Sequence, residues 1–322
     1  MRTKILGRIG LRVSTVGLGG GNLGLRNFDD PYRQHVLSPH VSIADHKLGI
    51  ATVYAALETG ATLVDTAPKY EAGGSEQIIG EAFLARPDLL AQCLVPTKIG
   101  CLHPGDGFDH SYARAMRSFE ESAARLQRDH FSLLYLHDPM GFPMDFVMGS
   151  KGTMQALRNL REAGKVKWIG VAANDPETAA DYIETGEFDV TTVSGAWSLI
   201  NQKAEQRIFP AAKRHNVGIV VTTAIERGLL VTGPVKGMRY LERNFSPECL
   251  VRVSQIKQLC KKFNISMVAA ALQWCTRHPQ VASVIPGART PEEACENTLA
   301  GSVVIPGEFW DALEPLVSHF ES

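Results

Sequence analysis

Four side chains in the first half of the chain have the types and places that acid–base chemistry needs. The stretch Ala61-Thr62-Leu63-Val64-Asp65-Thr66-Ala67-Pro68-Lys69-Tyr70 reads as a short apolar strand ending on a carboxylate, then a Thr-Ala-Pro turn and a tyrosine. Alone, it could equally be an Asp capping a loop beside a surface Tyr. Two later apolar runs also end on ionisable groups: Leu94-Val95-Pro96-Thr97 on Lys98, and Leu133-Leu134-Tyr135-Leu136 on His137. A lysine or histidine at the end of a buried strand is desolvated unless it is paired. Together the four define a chemistry. A phenol, with an ordinary pKa of about 10, is a poor acid at neutral pH. A nearby ammonium stabilises its phenolate, and a carboxylate holds that ammonium in place. A histidine beside the phenol can orient a carbonyl or share the proton, which makes the set a general acid/base for a carbonyl oxygen or a hydroxyl. The sequence has no nucleophile elbow and no metal-ligand cluster. The bond change at carbon therefore needs another agent, and a hydride from a nicotinamide cofactor is the natural one.

The elements that would position these residues alternate. Strands are expected over 16–19, 61–65, 93–98, 131–137, 166–172, 190–194, 217–222 and 281–285. Helices are expected over 44–59, 76–85, 110–128, 151–163, 176–185, 204–215, 247–263, 268–277 and 291–299, with a last one over 309–317. A small hairpin, Lys4–Gly7 with Arg12–Ser14, precedes them. Eight β units alternating with helices imply parallel strands with right-handed crossovers, and a closed (β/α)8 barrel fits the count better than an open doubly wound sheet. The fold class is thus α/β, a TIM barrel with an N-terminal β-hairpin and a C-terminal helical tail, and 1–322 is expected to be a single domain. In such barrels the site lies at the carboxyl ends of the strands, where Asp65, Lys98 and His137 stand.

The glycine cluster Gly19-Gly20-Gly21-Asn22-Leu23-Gly24 lacks the dinucleotide pattern that opens directly into a helix, so it reads as a tight backbone turn. Residues 26–46 read as a loop whose His35, His40 and His46 are solvated. Across the 322 residues, a formal net charge of −1 gives no electrostatic footprint for nucleic acid or an anionic membrane. Neither export nor membrane spanning is indicated. The six cysteines (Cys93, Cys101, Cys249, Cys260, Cys275 and Cys295) are scattered without a C-x-x-C pair, which suits a reducing, cytoplasmic setting.

Over nearly its whole length the sequence resembles the aldo-keto reductase family. The carrying motifs are Val64-Asp65-Thr66-Ala67 with Tyr70, Thr97-Lys98, Leu136-His137-Asp138-Pro139, and Ile285 to Pro291 through Glu296-Asn297. The resemblance implies that Tyr70 is the proton donor or acceptor, that Lys98 tunes it, that Asp65 pairs with Lys98 and that His137 orients substrate. It also implies a dinucleotide lying extended across the barrel mouth. Asn174 and Ser194 would be on its nicotinamide side, with Gly287, Arg289, Glu293 and Asn297 on its adenosine side. Many members carry Ser-Asn after the fifth barrel strand; here Ala172-Ala173 stands there, with Asn174 one place later. That departure, with Ala196-Trp197-Ser198-Leu199, resembles the branch of aldose 1-dehydrogenases (L-fucose, D-threo-aldose and L-galactose types) and pyridoxal 4-dehydrogenase. Thr222 replaces the aromatic that usually stacks on the nicotinamide.

Glu293 stands where NADP-preferring members carry Arg. A carboxylate there accepts from a ribose 2′-hydroxyl and repels a 2′-phosphate, so NAD is expected, with NADP the alternative. Thr290-Pro291-Glu292-Glu293 also reads as a helix capping box, which accounts for Glu293 without a ligand. The expected function is NAD-linked oxidation of a cyclic hemiacetal, an aldose at C1 or pyridoxal, to its lactone. The alternatives are an NADPH-dependent reductase of small aldehydes and a nicotinamide-binding regulatory subunit. The expected partner is a small-molecule substrate, with Phe142 and Trp197 as candidate pocket walls.

Overall fold

The chain begins by folding back on itself. In a computed structural model, which describes residues 1–25, 44–100, 108–238, 240 and 243–320, β1 (Thr3–Ile5) pairs antiparallel with β2 (Arg12–Ser14). The link between them is a short 3-10 turn ending on Gly10 at φ 70°.

Eight parallel strands follow: β3 (Leu18–Gly19), β4 (Val64–Asp65), β5 (Thr97–Ile99), β6 (Phe131–His137), β7 (Val166–Ala173), β8 (Val190–Val193), β9 (Gly218–Val221) and β10 (Val281–Val284). Strands β5 to β10 form one sheet in sequence order, and β3 pairs with β4. Single bridges join the two pieces, Leu63 to Leu94 on one side and Val16 to Val284 and Gly19 to Gly287 on the other. Backbone hydrogen bonds run across both joins: Val64 N–H donates to Leu94 at 3.0 Å, and Gly17 N–H to Val284 at 2.8 Å. The sheet therefore closes into the expected barrel, and the strands that frame it are short because ladder bonding is regular over only part of each segment.

Both faces of these strands are buried, which is why they read as continuous apolar runs rather than alternating ones. Alternation survives as two separate cores. Leu63, Leu94, Leu133, Tyr135, Ala172, Val190, Val220, Ala282 and Ile285 fill the barrel together with Leu6, Ile9 and Val13 of the hairpin segment. Val64, Ile99, Leu134, Leu136, Val171, Val193 and Val221 face outward, into the layer of helices. The hairpin thus plugs one end of the barrel. Inside, a Cβ on Gly170 would lie 2.3 Å from a Tyr135 ring carbon, so only glycine leaves room for that ring.

The helices lie close to their expected places, with ends set by caps. Asp45 accepts from Leu48 N–H to open His46–Glu58, and Ser111 accepts from Arg114 N–H to open Tyr112–Leu126. His46, which falls in both the expected loop 26–46 and the expected helix 44–59, begins the helix, and its Nδ1 lies 3.0 Å from Glu81. The rest of the expected loop, with His35 and His40, and Cys101 as well lie outside the described residues. Two short helices, Met144–Met148 and Leu229–Thr232, sit between the expected elements. Among the described residues no helix is long and apolar enough to cross a membrane.

Candidate active site

The two-residue period of the strands decides which way the ionisable groups point. Leu63 faces the barrel interior, so Asp65, two residues on, does too. On β6, Leu133 and Tyr135 face inward, and so does His137. Lys98 pairs in register with Tyr135. Three strand ends thereby deliver Asp65, Lys98 and His137 to one buried place, at 2%, 2% and 5% exposure. Lys98 Nζ donates to Asp65 Oδ1 at 2.5 Å, to the Thr66 carbonyl at 2.8 Å and to Tyr70 Oη at 3.2 Å. It also lies 4.7 Å from the centre of the Tyr70 ring.

Tyr70 reaches this point from the loop after β4, at the start of a distorted 3-10 turn, Tyr70–Gly73. Glu71 and Ala72 there have φ of 53° and 50°, a left-handed conformation that non-glycine residues adopt at a cost of about 1–3 kcal/mol each. The glycine cluster Gly19–Gly24 is a tight turn, as expected, and it packs under the same strand end. A Cβ on Gly20 would lie 2.5 Å from the Asp65 carbonyl.

Burial opposes the Lys98 ammonium, but the charges and hydrogen bonds of Asp65 and Tyr70 outweigh it and raise its pKa. Burial raises the Asp65 carboxyl against the pull of Lys98, and Asp65 Oδ2 has no partner among the described residues. For the phenol, burial is again the largest influence. It lifts Tyr70 above its ordinary value even though Lys98 pulls the other way. The expected lowering by the ammonium is thus present as an opposing pull and does not win. His137 is pushed well below the usual imidazole value by burial first, then by Lys98, Lys69 and His110, so it is neutral.

The six residues expected to hold a cofactor lie on the loops after β7, β8 and β10 and on the helix that follows β10. Asn174 is exposed at the end of β7, Ser194 follows β8, and Gly287 and Arg289 follow β10. Asn297 Nδ2 donates to the Gly287 carbonyl at 3.2 Å, fixing that turn. Thr290 caps the helix Pro291–Ala300 by accepting from Glu293 N–H. Glu293 in turn accepts from Arg289 N–H at 2.9 Å and from Arg289 Nη2 at 2.8 Å. The capping role expected of this segment is thus present, and the Glu293 carboxylate is engaged by Arg289. Loops after the last two strands of such a barrel, followed by a short extra helix, are a common phosphate site. Here the loop after β9 carries Glu226, Arg227 and Gly228 at φ 46°, 53° and 99° before the helix Leu229–Thr232. Exposed Asn174 and the Arg289–Glu293 pair are polar groups of the kinds a dinucleotide's amide, hydroxyls and phosphates take.

Two features escaped sequence reasoning. Asp138, buried and adjacent to His137, was visible only as part of a motif. The loop after β9 carries no glycine signature before Gly228 to announce it. Of the candidate pocket walls, Trp197 is core: it stacks on Trp274 at 4.6 Å and donates Nε1–H to the Cys275 carbonyl. Phe142 meets His110 edge-on at 4.8 Å, near Phe108 and Lys69.

A closed eight-stranded barrel with a buried carboxylate–ammonium–phenol contact at its mouth is the setting in which relatives become informative. Residues 40–317 match the aldo/keto reductase family, and the chain belongs to that family. It is an NAD(P)-dependent oxidoreductase. It is 29% identical to a pyridoxal 4-dehydrogenase of Microbacterium luteolum, across 98% of each chain. It is 27% identical to a D-threo-aldose 1-dehydrogenase of a Pseudomonas species, across 94% of each. These names support the branch that the sequence resembles. A holo-form aldo-keto reductase of Bacillus halodurans superimposes with a TM-score of 0.78 over 98% of this chain and 96% of its own, at 24% identity.

Proposed function

We propose that this chain is an NAD-linked dehydrogenase that oxidises a cyclic hemiacetal, an aldose at C1 or pyridoxal, to its lactone. In this reading Tyr70 is the acid/base, Lys98 and Asp65 hold and tune it, and His137 orients the substrate. The observation that carries the reading is the buried contact of Lys98 Nζ with Asp65 at 2.5 Å and Tyr70 at 3.2 Å. Such a charge pair costs several kcal/mol of desolvation per ion, more than packing alone warrants. Tyr70 Oη takes the proton of the substrate hydroxyl in oxidation and returns it to the carbonyl oxygen in reduction. The chemistry supplied by a bound nicotinamide dinucleotide is hydride exchange with the substrate carbon. Asn174 and Ser194 would hold its nicotinamide side, and Gly287, Arg289, Glu293 and Asn297 its adenosine side. The Arg289–Glu293 ion pair supports NAD over NADP, because it engages the Arg289 guanidinium with a carboxylate and so weakens its call on a 2′-phosphate.

A second reading has its own observation. The raised pKa of Tyr70 keeps the phenol protonated at neutral pH, which suits donation to a carbonyl and hence reduction of small aldehydes. Turnover of an aldose panel and pyridoxal with NAD⁺, followed at the nicotinamide absorbance, tests the first reading; small aldehydes with NADH and NADPH test the second. Tyr70→Phe is expected to lower turnover by about 10²–10⁴-fold while dinucleotide binding is retained. Full activity in that variant would sink the assignment.

A further inference from the structure

The residue next to His137 is held more tightly than any described role requires. Asp138 is only 3% exposed and has φ 46°, a left-handed conformation for a non-glycine residue. Its N–H donates to the Ala172 carbonyl at 2.7 Å, and its own carbonyl oxygen lies 3.3 Å from His110 Nε2. Both backbone groups are thus anchored, one to β7 and one to the segment after β5, and the side chain is aimed rather than free.

The target of that side chain is a single residue. Asp138 Oδ1 accepts the Asn174 backbone N–H at 3.0 Å, and Oδ2 accepts Asn174 Nδ2 at 3.0 Å. Among the described residues its nearest basic group is His137 Nε2, at 3.7 Å. Burial raises this carboxyl against the pull of Lys69, of the two Asn174 hydrogen bonds and of Lys98, an expensive arrangement unless the orientation it imposes is used.

The chemistry of the pair removes an ambiguity. Both Asp138 oxygens accept, Oδ1 from the backbone N–H and Oδ2 from the side chain, so the atom of Asn174 facing Oδ2 is the NH2 nitrogen. The amide carbonyl, Oδ1, is then left as the outward-facing atom of an exposed side chain at the barrel mouth. Asn174 stands just beyond the end of β7, two residues after the inward-facing Ala172. Directly beyond it, Asp175 caps the helix Pro176–Glu184, so the backbone on that side is fixed as well.

We propose that Asp138 is a positioning residue that locks the Asn174 amide with Oδ1 outward, making position 174 an obligate hydrogen-bond acceptor. The group it takes is an N–H or O–H donor, and on the reading above that donor is the carboxamide NH2 of the nicotinamide. This inference rests on that reading for the identity of the ligand and on the Asp138–Asn174 geometry for the orientation. With Asn at position 138 the backbone N–H of Asn174 keeps the new side chain's amide oxygen, so its NH2 faces the Asn174 side chain and favours the Asn174 Oδ1 turned inward, which undoes the lock.

The test is equilibrium binding, without turnover. NAD⁺ and ADP-ribose, which lacks the nicotinamide ring, are titrated against the wild-type chain, Asp138→Asn, Asn174→Ala and the double variant, with thermal melting of each. Loss of one oriented hydrogen bond is expected to raise the Kd for NAD⁺ about tenfold in Asp138→Asn. ADP-ribose affinity should stay within about twofold, because its contacts lie on the other side of the barrel mouth. Asn174→Ala should show the same split, and the double variant should be no weaker than Asn174→Ala. An unchanged Kd for NAD⁺ in Asp138→Asn overturns the proposal, and so do equal losses for both ligands or additive losses in the double variant. Should Asp138→Asn melt early, Asn174→Ala still decides, since an exposed side chain is dispensable for folding; equal NAD⁺ affinity there overturns the proposal. Failure of the wild-type chain to bind either ligand removes the cofactor reading itself, and this inference with it.

Discussion

Replacing Lys98 by Met keeps the length of the side chain and deletes its charge, which separates the two jobs the ammonium does. Lys98 Nζ makes three contacts, with Asp65, the Thr66 carbonyl and Tyr70. Without it Asp65 Oδ1 loses its hydrogen bond, and Oδ2 already has none. An uncompensated buried carboxylate of this kind costs about 3–5 kcal/mol. At the roughly 2 °C per kcal/mol of a chain this large, the melting temperature falls by about 6–10 °C.

The deficit has a direction in pH. Asp65 is already raised by burial, and removing Lys98 raises it further. A carboxyl whose folded pKa lies above its unfolded one carries no penalty below the unfolded value of about 4, and the full penalty above the folded value. The gap between wild type and variant should therefore shrink as pH falls from 8 toward 5. The double variant Lys98→Met/Asp65→Leu should recover most of the stability and none of the turnover. Differential scanning calorimetry across that pH range, with kcat measured on the same preparations, reads both effects. A variant that melts like wild type, or a double variant no more stable than the single, would refute the reasoning that these charges are mutually dependent.

Two further outcomes follow from the same geometry. Because burial raises the Tyr70 phenol, kcat/KM for oxidation should climb with pH to beyond about 10, whereas kcat/KM for reduction should be flat near neutrality and fall only at alkaline pH. An oxidation profile that levels off near pH 7 would contradict the burial of the phenol. Glu293→Gln releases Arg289 from its ion pair and removes the repelling carboxylate, so the ratio of kcat/KM for NADP⁺ to that for NAD⁺ should rise about tenfold, the scale of one charge-assisted contact. An unchanged ratio would mean that Glu293 serves only its helix.

The barrel was legible because its signal is local and repeated: short apolar runs alternating with amphipathic helical stretches. So was the presence of Asp65, Lys98 and His137 at strand ends, since a strand two residues longer or shorter keeps the same inward parity. Residues whose placement depends on a distant partner were not legible. Asp138 reads as a loop aspartate until β6 and β7 are set side by side and Asn174 arrives beneath it. Trp197 looked equally able to line a pocket or to pack, and Trp274, nearly 80 positions away, decides for the core. His46 lies where the expected loop 26–46 and helix 44–59 overlap, and the Asp45 cap decides for the helix.

What the sequence by itself determined is therefore the inventory: a parallel barrel, a phenol, an ammonium, a carboxylate and an imidazole, and the direction each faces along its own strand. What only the tertiary structure decided is the balance among them. Whether Lys98 or burial governs the phenol depends on distances and on the exclusion of water, quantities that belong to the closed barrel and to no single segment. Burial prevails at Tyr70 because a low-dielectric interior penalises the phenolate more than one ammonium, already shared with Asp65, can offset.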